Sequence, residues 1–306
     1  VYTLQQRVGN RSWLINPETG LREIENTGVW VRADGSHGDV KSGKSTTDAD
    51  YKLDFWRAQF GFDSKIYETD RGSAFVLGLI FQYAHAKAKI DSPSGKGKIN
   101  VNGLGGAVTA TWYGSEGFYL DGRAQYSALD GDIKSDTLVT KTQISNNSGD
   151  AYALSLETGK IMQVSDNWAL TPQAQLVYSV IDFSDFEDAH GTHVKITKGE
   201  SLMLRGGLSM DYENTYQNAD GGVNRIKFYG VGNLYYEFLS GTEVEAAQYK
   251  LENRSDRFWG GVGLGGSYNW NDDKYSIYGE VGARTSFNNF GDSYDYYGTI
   301  GVRYNF

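Results

Sequence analysis

The sequence predicts an all-β chain, a 12-stranded antiparallel transmembrane β-barrel with an N-terminal helix in its pore. Three observations carry that expectation. Apolar and polar residues alternate through about twelve long segments. The connections between them alternate long and short. The last eight residues, Thr299 to Phe306, alternate without a break and finish on an aromatic.

In that last segment Ile300, Val302, Tyr304 and Phe306 oppose Thr299, Gly301, Arg303 and Asn305. Chain ends in water usually fray. A strand that closes a membrane barrel instead turns one face to lipid and the other to the lumen, with aromatics at the interface.

Composition narrows the classes. The 306 residues are 39% hydrophobic, with a mean hydropathy of −0.50. No apolar run approaches the ~20 residues a spanning helix needs, and the longest candidate is Phe75–Phe81. That excludes a helical membrane protein. It leaves a barrel open, because barrel strands dilute each lipid-facing residue with a polar lumen-facing one. Aromatics make up 14% of the chain, with 22 Tyr and 7 Trp, and 39 glycines stand against 3 prolines. That balance suits long strand ladders with rings at an interface and does not suit disorder. Cysteine is absent, so thiolate metal sites and disulfides are excluded. The net charge of −9 argues against a nucleic-acid partner. No signal peptide is visible at Val1, and the chain reads as cut from something longer.

The alternating segments run near 28–38, 51–64, 73–89, 99–113, 117–130, 150–164, 168–184, 200–214, 225–240, 255–270, 274–288 and 293–306. In the fifth, Phe118, Leu120, Gly122, Ala124 and Tyr126 oppose Tyr119, Asp121, Arg123 and Gln125. In the eighth, Leu202, Leu204, Leu208, Met210 and Tyr212 oppose Arg205, Ser209 and Asp211. In the eleventh, Tyr275, Ile277, Val281, Ala283 and Phe287 oppose Ser276, Glu280, Arg284 and Ser286. Lys160 falls on the lipid side of the sixth unless the register shifts there. A soluble sandwich or jelly roll is the competing class, but its strands usually run about five to six residues.

The expected long connections are 39–50, 130–150, 185–200 and 241–254, and the short ones 113–117, 164–167 and 271–274. Segments 63–72 and 214–224 are expected to break the rule as longer turns. Short periplasmic turns with longer outer loops fit an outer-membrane barrel. This parity puts Phe306 on the periplasmic side. It also predicts an aromatic ring there from Trp30, Phe62, Phe75, Trp112, Phe118, Trp168, Tyr212, Phe228, Trp270, Tyr275 and Phe306.

Twelve strands about 4.8 Å apart and tilted ~40° leave a bore of roughly 12–14 Å between side chains. A single helix is about 10–12 Å across. The first fifteen residues do not alternate. Leu4 and Val8 are spaced for one helix face, as are Arg7 and Arg11, and 16–20 (Asn-Pro-Glu-Thr-Gly) reads as a stop. Residues 1–15 are therefore expected as a linker helix plugging the pore, and 16–306 as the barrel. The parity points Arg57, Asp121, Arg123, Glu157, Arg205, Asp211, Glu280, Arg284 and Arg303 into the lumen. Such charges either form a structural lining or receive the helix arginines bidentately.

A Leu-x-x-Arg-Val-Gly-x-Arg segment at 4–11, about twelve amphipathic strands and a Tyr-x-Phe ending together resemble the translocator domain of type Va autotransporters, over essentially the whole chain. The last strand also resembles the signal read by the barrel-assembly machinery, with Thr299, Gly301, Tyr304 and Phe306 in its polar, glycine, hydrophobic and aromatic places. The resemblance implies a barrel in the Gram-negative outer membrane, covalently linked N-terminally to a passenger that it anchors and exports to the cell surface. It implies as partners outer-membrane lipid, the barrel-assembly machinery and periplasmic chaperones, with the barrel a monomer and no cofactor. One branch of the family cuts its passenger at an Asn-Asn pair inside the pore, assisted by barrel carboxylates, which here correspond to Asp121, Glu157 and Glu280. No Asn-Asn occurs in residues 1–15. Asn146-Asn147 and Asn288-Asn289 lie in expected outer loops. The chain either begins after such a cut or is never cut.

Other chemistry finds little support. His190 and His193 are the only close histidine pair, in an expected loop without cysteine or a helix to hold metal-ligand geometry. His85 could face Asp91 or Ser92 at the outer rim, but nothing marks a hydrolytic set. Residues 218–222 (Asn-Ala-Asp-Gly-Gly) read as a tight turn rather than a calcium loop. The competing functions are a small outer-membrane channel and a barrel that cleaves its own passenger.

Overall fold

The computed structural model describes residues 2–8, 27–41, 49–70, 72–93, 95–137, 141–187, 191, 193–218, 221–239, 241–246, 249–253 and 256–306. A short helix, α1 (Leu4–Val8), precedes twelve long strands. These are β1 (Gly28–Val40), β2 (Asp50–Glu68), β3 (Ala74–Ser92), β4 (Gly95–Tyr113), β5 (Phe118–Thr137) and β6 (Lys141–Lys160), followed by β7 (Trp168–Phe183), β8 (His193–Gln217), β9 (Val223–Glu237), β10 (Phe258–Trp270), β11 (Tyr275–Ser286) and β12 (Tyr294–Asn305). Each pairs antiparallel with the next, and β12 returns to β1 with Gly28 opposite Asn305 and Asp39 opposite Tyr294. The sheet is therefore closed and its twelve strands leave no unpaired edge.

Burial alternates through the middle of most strands. On β5, Tyr119, Asp121 and Arg123 are buried while Phe118, Leu120 and Tyr126 are exposed. On β8, Arg205, Ser209 and Asp211 are buried while Leu204, Leu208 and Met210 are exposed. The usual arrangement is inverted: large apolar residues cover the outside and most buried side chains are polar. Hydrocarbon, not water, is the solvent for which this outer surface is built.

Aromatics gather at both ends of the apolar band. At the end of the short turns, Tyr268, Trp270, Tyr275, Tyr304 and Phe306 form a continuous chain of ring contacts 5.3–5.9 Å apart. Trp112 meets Phe118 at 5.8 Å and Trp168 meets Tyr212 at 5.1 Å. At the other end Trp56 meets Tyr83 and Tyr126 meets Tyr152. From Phe75 to Tyr83 on β3 the two ring levels lie about 20 Å apart for a ~40° tilt, close to the apolar band of such barrels.

Trp30 does not belong to this ring. It is 1% exposed and points into the lumen, where its indole N–H donates to Asp63 Oδ2 at 3.0 Å. Residue type alone points a strand-end aromatic outward, but Gly61 opposite Trp30 is bare of a side chain and makes room for the indole inside. Lys160 does face outward, opposite Phe118 at the periplasmic rim, where a long cationic side chain can reach the headgroups.

The connections also differ from expectation. β2 runs on to Glu68 and β8 to Gln217, so the two supposedly long turns shrink to 69–73 and 218–222, and the parity exceptions disappear. On the other side, 130–150 is mostly a continuation of the β5–β6 hairpin rather than loop, and Asn147 lies within β6. Residues Thr242–Ala246 pair with the outer part of β8 and with Tyr249–Asn253, forming a small outer hairpin. Beyond the membrane both faces of a strand meet water, so the apolar alternation stops while the backbone pairing continues. The 218–222 turn closes with Asn218 N–H on the Gly222 carbonyl at 2.9 Å.

Candidate functional site

The lumen face from β1 to β5 is lined by hydrogen-bonded polar side chains brought to one level by register. Arg32 on β1 donates to Gln59 on β2. Gln59 Nε2 donates to Gln82 Oε1 on β3 at 2.7 Å, and Gln82 Nε2 to Ser127 Oγ on β5 at 2.9 Å. The chain skips β4 because Gly105 stands there, where a Cβ would lie 2.6 Å from Ser127 Oγ.

Inside this lining sits α1, and its polar groups are taken up by strands around the wall. The Leu4 amide N–H donates to Glu157 Oε2 at 2.9 Å. Gln5 Nε2 donates to Asp211 Oδ1 at 2.9 Å and Gln6 Nε2 to Glu280 Oε1 at 2.7 Å. Arg7 is 1% exposed, pairs with Asp121 and donates to Thr109 Oγ1 at 3.0 Å. The carbonyl of Gln6 accepts from Arg32 Nη1 at 2.7 Å, and that of Arg7 from the Tyr278 hydroxyl at 3.3 Å. Leu4 packs among Ala74, Val76, Tyr113 and Tyr119. Five residues are too few for a helix to persist alone, so α1 owes its shape to these contacts. Ahead of it the Tyr2 ring lies between two guanidinium groups, Arg32 at 4.3 Å and Arg57 at 4.5 Å.

Most of the remaining lumen charges find partners on the wall, while Arg123 keeps its Nε and Nη1 buried without a hydrogen bond. Arg205 donates to Gln173 Oε1, Gln175 Oε1 and Asn233 Oδ1 at 3.1, 3.2 and 2.8 Å and lies 3.5 Å from Glu157. Glu280 accepts the Tyr229 and Tyr297 hydroxyls, each at 2.7 Å. Asp211 accepts from Thr171 Oγ1 at 3.1 Å and lies 3.2 Å from Lys227 Nζ. Arg57 faces Asp34 at 3.5 Å, Arg284 pairs with Asp295, and Arg303 pairs with Asp63 at 2.9 Å. Arg123 is buried and donates to Gln125 Oε1 at 2.6 Å.

Of the charged residues expected in the lumen, Arg57, Asp121, Arg123, Glu157, Arg205, Asp211, Glu280 and Arg303 are buried, and Arg284 is half-buried. Asp121, Glu157 and Glu280 each touch α1, at Arg7, Leu4 and Gln6. Only one of the two expected arginine contacts is described, because Arg11 and the side chain of Val8 lie outside the described residues, as does the rest of the 1–15 segment beyond Val8. Sequence reading missed Gln5, Gln6 and Tyr2, whose polar type signals nothing until the wall around them is known. In the last strand Thr299 and Gly301 face the lumen side, Gly301 leaving space for the Tyr278 ring 2.4 Å from where its Cβ would be. Tyr304 and Phe306 stand in the periplasmic aromatic chain, Phe306 being 63% exposed.

Among the described residues the histidines do not gather. His85 Nδ1 lies 2.8 Å from Asn102 Oδ1 on the outer wall, rather than facing Asp91 or Ser92, because those residues lie farther up the strand. His37 meets Asp54 and His193 meets Asp185, both in exposed positions, and His190 is outside the described residues. Among the described residues no cluster of His, Cys, Asp or Glu could hold a metal ion.

Comparison with known proteins agrees with this architecture. The autotransporter beta-domain family matches residues 29–282. The chain is 40% identical over 282 residues to the adhesin BmaC autotransporter of Brucella suis, a match covering 90% of this chain and 8% of that protein. It is 25% identical over 197 residues to the autotransporter adhesin/invasin TibA of Escherichia coli, covering 63% of this chain and 19% of that one. The chain therefore spans less than a fifth of the length of either relative. Its fold is similar to the transport unit of AIDA-I from Escherichia coli, with a TM-score of 0.75 at 18% identity over 91% of this chain and 90% of that one. It is also similar to the translocator domain of NalP from Neisseria meningitidis, with a TM-score of 0.67 at 13% identity over 93% and 90%. The chain belongs to the autotransporter beta-domain family, and as such is a Gram-negative outer-membrane barrel that anchors and exports an N-terminally linked passenger.

Proposed function

We propose that residues 1–15 are the inner end of the exported segment, held in the lumen as a plug once the passenger has passed. One observation carries this reading: backbone and side-chain groups of Leu4 to Arg7 are met by partners on β1, β4, β5, β6, β8 and β11. A lining that existed only to fill an aqueous channel has no need to match one short helix group by group. The passenger itself is proposed to be an adhesin, by analogy with the names of BmaC and TibA. The barrel-assembly machinery and periplasmic chaperones are proposed as transient partners, the former reading Thr299, Gly301, Tyr304 and Phe306, and the barrel is proposed to act as a monomer. The plug is tested by planar-bilayer recording of the intact chain and of a chain lacking residues 1–8. Small, flickering conductance that grows on deletion supports it. Wide, steady conductance unchanged by the deletion supports an ordinary channel instead.

A second reading, self-cleavage, is favoured by the contact of Asp121, Glu157 and Glu280 with one four-residue stretch. The cut would fall upstream of α1, since residues 1–15 contain no Asn-Asn pair.

A further inference from the structure

Above the outer aromatic ring, the outside wall of β2–β5 carries a row of lysines in direct cross-strand register. Lys52 stands opposite Lys89, Lys89 opposite Lys98, and Lys98 opposite Lys134. All four continue the outward set that lower down is apolar: on β3 it reads Leu79, Phe81, Tyr83, His85, Lys87, Lys89. Lys89 is six residues beyond Tyr83, which puts the row about 15 Å above the ring level for strands tilted ~40°. Three strand spacings make the row about 14 Å wide.

Like charges directly opposite in a sheet are destabilising, and the neighbouring carboxylates relieve the row only in part, Asp39 at Lys52 and Asp54 at longer range from Lys89. Asp39 holds Lys52 at 3.3 Å, Asp50 holds Lys41 at 2.8 Å, and Asp54 lies 2.6 Å from His37. Asp91 lies two residues above Lys89 and Asp132 two residues below Lys134. Among the described residues Lys89, Lys98 and Lys134 have no carboxylate oxygen within 4.0 Å, although Lys89 and Lys134 are exposed and free to turn. Three neighbouring ammonium groups at this height face the headgroup layer of the outer leaflet, where the anions are phosphates on sugars. Clustered Lys at a membrane surface is the usual means of holding such headgroups.

We propose that the Lys52–Lys89–Lys98–Lys134 row binds the phosphorylated sugar headgroup of an outer-leaflet glycolipid, so that the barrel carries a preferred lipid on this one side. The phosphate oxygens take the place of the missing carboxylates, and the acyl chains lie down the apolar wall below Tyr83 and Tyr126.

Native mass spectrometry of the intact barrel in neutral detergent tests this with bisphosphorylated lipid A as the probe, beside the same lipid A treated with phosphatase. A K89Q/K98Q/K134Q chain is compared with K65Q/K160Q/K274Q, which removes equal charge at the periplasmic end, and with an all-arginine version of the row. Heat-modifiable mobility confirms folding of each. The expected result is lipid A retained by the wild type, the arginine version and the periplasmic control, and retention lower by about tenfold or more in the glutamine row. Phosphatase-treated lipid A should be retained no better by the wild type than lipid A is by that variant. Equal retention by the glutamine row, equal loss in the periplasmic control, or full retention of the phosphate-free lipid by the wild type overturns the proposal, the last without needing any variant. Displacement by equimolar inorganic phosphate does so too, by reducing the row to a general anion site.

Discussion

Arg303 on the closing strand reaches past β1 to Asp63 on β2, Nη1 to Oδ2 at 2.9 Å, with both side chains 1% exposed. The same carboxylate oxygen accepts the indole N–H of Trp30 on β1. One buried anion therefore fastens the last, first and second strands where the barrel closes.

Asp63→Ala is expected to lower the unfolding temperature of the barrel markedly, because removing one partner of a buried pair costs about 3–5 kcal/mol. Arg303→Ala alone should do likewise. The double variant is expected to lose less than the sum, since no lone charge is left behind. Thermal unfolding in detergent, read from heat-modifiable mobility, measures all three. Additive losses would show that the two residues act apart.

The Arg7–Asp121 pair yields a reversal test. Arg7→Asp sets two carboxylates together and is expected to release α1, raising single-channel conductance. Arg7→Asp with Asp121→Arg restores the attraction and should bring conductance back toward the wild-type level. If the reversal leaves conductance at the level of Arg7→Asp, the pair does not hold the helix.

Self-cleavage predicts a band that splits when the barrel is expressed with its upstream residues. Glu157→Gln, Asp121→Asn and Glu280→Gln are then expected to slow the split, Glu157→Gln most, because that carboxylate meets the amide of Leu4 nearest the upstream chain. Unchanged cutting in all three would remove these carboxylates from the chemistry.

Two substitutions in the last strand separate packing from recognition. Gly301→Ala places a methyl against the Tyr278 ring and is expected to destabilise by about 1–3 kcal/mol, with relief when Tyr278→Ala is added. Phe306→Ser touches no lumen group, so it should reduce insertion in cells while leaving the melting of inserted barrels near wild type. Normal insertion of Phe306→Ser would leave Phe306 as a girdle residue alone.

The barrel was legible because period-two alternation is imposed by two solvents at once. Leu204 must face hydrocarbon and Arg205 must not, and no other fold asks this of twelve segments. The lumen charges followed from that parity. What sequence could not give was anything set by a partner strand. Trp30 turns inward because Gly61 stands opposite it, and Gly301 is fixed by Tyr278; neither relation has a local trace. The outer reaches of β5, β6 and β8 were read as loops because water on both sides erases alternation while hydrogen bonding continues. Gln5 and Gln6 were missed for a related reason: a glutamine is informative only once Asp211 and Glu280 are known to face it.

Closing the ring by pairing β12 with β1 carries an entropic consequence. The Arg303–Asp63 contact joins residues 240 apart in sequence, and bringing together the ends of so long a loop costs about 5 kcal/mol in chain entropy, a figure that barely rises with further length. Until that join is made, β1 and β12 each present a bare row of peptide groups, which is the most association-prone state a strand can have. The final pairing thus removes both exposed edges in a single event, and a clamp that engages only when all three strands are present makes that event hard to reverse.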